Sequence, residues 1–130
     1  MSKNLFAIII LASCFSCTSA EEKLSTELQE KVMSLHDTLM PQTEQLISLK
    51  SSLDSLSHGK DSIQVKKIIY ALDKADQSMM DWMHHFSLDS LSKLELKQKV
   101  SCLTSQYNAL SNLKTSTDSS LHAAQTYLSR

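Results

Sequence analysis

The sequence predicts an all-α protein: an antiparallel three-helix bundle of long amphipathic helices behind a cleaved lipoprotein signal peptide. Three observations predict it. The chain has one glycine, Gly59, and one proline, Pro41. A sheet protein needs far more turn chemistry than that. Aromatics make up only 5% of residues, while Leu, Lys, Gln, Glu and Ser dominate, the composition of long helices joined by few turns. Apolar residues recur at alternating spacings of four and three, a heptad seam and not a strand pattern. At 130 residues this is one domain.

The N-terminus comes first. Lys3 supplies a positive charge, and Leu5 to Leu11 is an apolar run too short to span a bilayer, which takes about 20 residues. Leu11-Ala12-Ser13-Cys14 then resembles a bacterial lipobox. Residues 1–13 are read as the signal peptide, and Cys14 as the lipid-attachment residue on a tether over 14–20. Cys17 is the alternative; its upstream triplet Cys14-Phe15-Ser16 fits the pattern less well. Several acyl chains, palmitate among them, would hold such an N-terminus firmly to a leaflet. The expected place is the bacterial cell envelope, on its periplasmic face or at the cell surface. Cys102 remains as the one cysteine of the folded part, so no disulfide framework is expected.

The bundle domain is assigned to 21–130, with helices over about 21–57, 62–86 and 90–129. Ser19-x-x-Glu22 has the form of a capping box for the first. Its seam is Leu28, Val32, Leu35, Leu39, Leu46, Leu49, Leu53 and Leu56, with one gap at Gln42. Pro41 predicts a kink near 37–41 or a break there. Gly59 is placed just past the end of this helix, and Asp61 with Gln64 caps the next. The second seam is Val65, Ile68, Leu72, Ala75, Met79, Trp82 and Phe86. Asp89 or Ser92 is expected to cap the third helix, whose seam runs from Leu96 to Leu128. Poor helix formers over 114–119 predict a bend, with a short fourth helix after it. The unequal lengths predict that the first and third helices overhang the second at opposite ends. Apolar overhangs favour a homo-oligomer or a helical protein partner.

A hairpin turning near Gly59 sets residues level when their numbers sum to about 120. His36 then stands level with His84, and Met40 with Met80. Met33, His36 and Met40 share one stripe, and Met80, Met83 and His84 another. The favoured reading is packing, because methionine adapts to irregular cores. The alternative is a metal site of His36, Met40, Met80, Met83 and His84. Imidazole and thioether suit Cu(I), and the same types serve as axial haem ligands. Asp37 and Asp81 are placed to orient the imidazoles. Cys102 counts level with Ala75 and Leu46, away from this cluster.

The formal net charge is −1, or −2 without Lys3, and no basic face stands out, so a nucleic-acid partner is not expected. Phosphate loops, Cys-x-x-Cys and His-Glu-x-x-His are missing from the sequence. The expectation is no enzyme, but a membrane-anchored structural or interaction module.

The lipobox, His36-Asp37-x-x-Met40-Pro41 and Met79-Met80-Asp81-Trp82-Met83 together resemble a family of small Bacteroidota lipoproteins that go by the label "viral A-type inclusion protein". The resemblance covers the leader and the first two helices. It implies an envelope lipoprotein in which both stretches matter, and leaves ligand and packing open.

Overall fold

The computed structural model describes the backbone of residues 2–57 and 62–130, and the side chains of 19–57 and 62–130. The turn assigned to Gly59, the cap assigned to Asp61, and the side chains of Cys14 and Cys17 lie outside the described residues. Among the described residues the regular elements are four helices: α1 (Ser2–Asp54), α2 (Ser62–His85), α3 (Leu88–Ser92) and α4 (Leu96–Leu128). The all-α expectation holds, but the helix count is four and not three. None of the described helices is long and apolar enough to cross a membrane.

α1 corrects the cap expected at Ser19 and, of the kink or break expected at Pro41, excludes the break. It is already under way at Ser19, so Ser19-x-x-Glu22 does not start a helix, and it passes through Pro41 without a break. A proline inside a helix removes one hydrogen bond and costs about 3 kcal/mol. Here the cost is outweighed by burial on both sides of the site. Leu39 and Leu46 are each 1% exposed, and Leu53 is fully buried. Burial of one such side chain stabilises by about 1.5–3 kcal/mol.

α2 stops at His85, as its seam predicts. The chain then turns at Ser87, whose backbone is extended and whose hydroxyl accepts a hydrogen bond from the Ser90 amide at 3.2 Å. Ser87 therefore caps α3, in place of Asp89 or Ser92. Glu95 precedes α4 and makes no side-chain cap bond, so Ser92-x-x-Glu95 is not a working capping box. Leu91 pins α3 to the bundle; it is 4% exposed and packs in the same core as Leu103.

α4 runs unbroken from Leu96 to Leu128, without the expected bend after Lys114. Serine and threonine are poor helix formers because their hydroxyls compete for backbone groups. In α4 those hydroxyls turn inward along the helix instead. Thr115 donates to the Ser111 carbonyl, Ser116 to that of Leu113, and Ser120 to that of Ser116. Thr117 and Ser120 are also buried, and the Ser120 hydroxyl reaches the Ala71 carbonyl of α2 at 3.3 Å. Small residues here let the two helices come close.

The register departs from expectation in an informative way. Gln42 of α1 bonds Asp118 of α4, 76 positions later. The two helices are parallel, and Leu96 begins level with Ala20. The descent through α3 carries the chain below the end of α2 before α4 starts. Both α1 and α4 therefore overhang α2 at the same end, not at opposite ends. Cys102 moves with them. It is a half-buried free thiol packed against the core of Val32 and Leu103, not beside Ala75 and Leu46.

Two cores result. The upper one, by the α1–α2 connection, joins Leu46, Leu53, Val65, Ile68, Leu72, Ala75, Leu121 and Ala124. The lower one joins Val32, Leu39, Met79, Leu91, Leu103, Leu110 and Leu113. Gln42, the gap in the α1 seam, lies between them. Its amide nitrogen donates to Asp118 at 2.9 Å, and its Oε1 is buried without a partner.

Candidate functional site at the α1–α2 edge

The expected meeting of the two motifs takes place. The rings of His36 and Trp82 lie 5.6 Å apart at a tilt of 34°, and Trp82 stacks on Phe86 at 4.7 Å. α1 brings His36 on the side that faces α2. The lower seam of α2 places Trp82 and Phe86 four residues apart, on one face. Trp82, Met83 and Phe86 pack against the lower core. The indole Nε1 of Trp82 is buried and has no acceptor, an uncompensated donor that costs stability.

The imidazoles are held differently. His36 Nδ1 lies 3.1 Å from the Asp37 carboxylate, the orienting role expected of Asp37. Asp81 works through its backbone instead. Its carbonyl accepts from Nδ1 of His85 at 2.7 Å, so the histidine it orients lies outside the expected set.

The other members line the outer edge of the α1–α2 contact. That edge is marked by Lys50, whose ammonium donates to Asp73 at 2.6 Å. Helical spacing puts His36 and Met40 along the Lys50 edge of α1, and Met80 and His84 along the Asp73 edge of α2. Met40 is 37% exposed and Met80 45%. His84 is exposed too, whereas Met83 is turned toward the lower core. His36, Met40, Met80 and His84 thus share an accessible edge, and Met83 is drawn from it by packing. Among the described residues no group of three or more His, Cys, Asp and Glu side chains is placed to hold a metal. A metal at this edge would have to rely on methionine sulfur.

Two ionisable groups have displaced pKa values. Hydrogen bonds from Lys114, then Gln42, hold the Asp118 carboxyl below its ordinary 3.8. The Asp73 carboxylate holds Lys50 above its ordinary 10.5. Both sit in ion pairs with partly exposed side chains, where such pairs are worth little.

Two grooves flank the bundle. One of about 480 Å³ runs between α1 and α4, with Lys31, Leu35, Thr38, Tyr107 and Lys114 on its walls. A second of about 410 Å³ lies between α2 and α4 beside Trp82, Asn112 and Ser116. Reading the sequence missed both, since each depends on the level at which α4 packs against its neighbours. Compared with protein-family models, curated proteins and solved structures, the chain matches none of them.

Proposed function

We propose that this chain is a lipid-anchored module of a bacterial envelope that acts through its helical surfaces and catalyses no reaction. The observation that carries the reading is the shared overhang. Below the end of α2, α1 and α4 continue as a pair with only α3 laid on them. Leu24, Leu88 and Leu94 are 44%, 46% and 37% exposed in these segments. A helix pair with an open third side offers a seat for a partner helix or a second copy. Sedimentation of the chain from Ser19 onward, across a range of concentrations, tests this. Concentration-dependent growth that Leu24→Ser with Leu94→Ser abolishes is the expected result; a strict monomer removes self-association. The anchor is tested separately: lipid labelling should vanish in Cys14→Ala. Labelling kept there but lost in Cys17→Ala moves the anchor to Cys17.

A second reading is favoured by one detail, the Asp37 contact that orients the His36 imidazole on the edge that also carries the exposed Met40 and Met80. In it, His36, Met40, Met80 and His84 take up Cu(I) or haem, with Met83 left to the core. Titration with each under reducing conditions decides. Uptake lost in His36→Ala with Met80→Ala supports it, and no uptake ends it.

A further inference from the structure

We propose that the outward face of α2, formed by Ile63, Lys66, Lys67, Tyr70 and Lys74, docks on an anionic phospholipid surface. α2 buries Val65, Ile68, Leu72, Ala75 and Met79 against the bundle. Helical spacing then turns the five named residues away from the core. Ile63 at 73% and Tyr70 at 69% are the most exposed large apolar side chains among the described residues. They stand seven positions apart, two turns along one line, with the lysines between and beyond them.

The uncompensated charge on this face is positive. Lys66, Lys67 and Lys74 are exposed, and among the described residues none of them is in an ion pair. Among the nearby acids, Asp73 stands on the line of Lys66 but its charge is taken up by Lys50, Asp76 is half-buried, and Asp81 lies two turns beyond Lys74. A positive strip therefore stands on a chain whose formal net charge is −1. Lysine stems lie along apolar surface while their ammonium groups reach for phosphates. Tyrosine suits the boundary between headgroup and acyl chain. The strip is the convex side of a single helix and lines neither flanking groove. A flat, negatively charged surface complements that shape better than a protein side chain seeking a pocket. The contact does not depend on the lipid anchor. Where an anchor is present, the strip lays the bundle along the leaflet.

The test uses the full chain with phosphatidylcholine vesicles, with and without phosphatidylglycerol, and brief acetylation read at each lysine by mass spectrometry. Attachment through the N-terminus is read separately by flotation, so a failed anchor and a failed strip give different results. The expected result is acetylation of Lys66, Lys67 and Lys74 slowed about threefold by the anionic lipid. Lys31 and Lys97, on other faces, should change little, and high salt should erase the difference. Ile63→Ser with Tyr70→Ser, both surface changes, should weaken the protection. Equal rates in the two vesicles overturn the proposal. So does protection that needs no vesicles and grows with chain concentration, which marks a second copy. Protection by poly-glutamate but not by vesicles overturns it in favour of an acidic protein partner.

Discussion

The two ends of the bundle solve the same packing problem with different residues. At the upper end three long helices meet, and small side chains let them close: Ala71, Ala75, Ser120 and Ala124 lie where α2 and α4 approach. At the lower end α2 stops. Its last turns and the residue just past them supply bulk there: Trp82, Met83 and Phe86 join Tyr107 and Leu91 around the α1–α4 pair. The difference teaches that the upper end is set by backbone proximity and the lower end by side-chain volume. An end built from volume leaves edges and grooves, and the candidate site and the small cavity by Cys102 both belong to it.

The strongest way to break this comparison is to remove volume where it matters most. Leu110, fully buried in the lower core, should cost about 2–5 kcal/mol as Leu110→Ala, read from urea unfolding midpoints. A loss under 1 kcal/mol, roughly a surface-like value, would mean the lower core is not packed as described. The reverse change probes the upper end. Ser120→Leu should destabilise by about 1–3 kcal/mol, because the close approach to Ala71 leaves no room. Cys102→Met, beside a cavity of about 110 Å³ lined by Phe86 and Leu91, should cost less than about 1.5 kcal/mol. Equal losses in the two would erase the distinction. Between the ends, Gln42→Leu removes a buried unpartnered oxygen and restores the seam. It should raise stability by roughly 1 kcal/mol.

The smallest effect concerns pH. Asp118 is held below 3.8 by Lys114 and Gln42. The unfolded chain therefore binds that proton more readily than the folded one. The contribution is complete above the unfolded value and is lost as pH falls through the folded one. Asp118→Asn should flatten the acid limb of stability against pH, with little change near neutrality beyond the lost contact. Lys50 has the opposite sign. Its pKa is raised above 10.5 by Asp73, so its contribution is kept below 10.5 and lost as pH climbs through the folded value.

Much of the fold was legible because the period of the apolar residues is local information. The seams of α1, α2 and α4 hold at Leu39, Leu46, Leu72 and Leu103, all at most 1% exposed. The level of His36 with the tryptophan turn followed from a hairpin with a short connection. What escaped depends on tertiary balance. Pro41 and the hydroxyl-rich run over 114–119 look like helix breakers until the burial around them is known. α3 is five residues long, too short for periodicity to mark. The error in its capping residue shifted the expected level of α4, and with it Cys102 and the overhang. At the site, the level of His36 with the last turns of α2 was visible in the spacing; its ring contact with Trp82 and the unpartnered indole nitrogen were not. The lysine strip on α2 went unseen because Asp73 and Asp76 share its stretch of sequence; the tertiary ion pair of Asp73 with Lys50 and the partial burial of Asp76 are what leave Lys66, Lys67 and Lys74 uncompensated.

The glutamine in the α1 seam has one more consequence. It sets a hydrophilic layer across the middle of the rod, so the oily interior is not continuous from end to end. Cooperativity between the halves is carried by three backbones and not by a shared core. Native-state hydrogen exchange should accordingly resolve two blocks of amides, with the tryptophan-bearing half opening independently of the alanine-lined half.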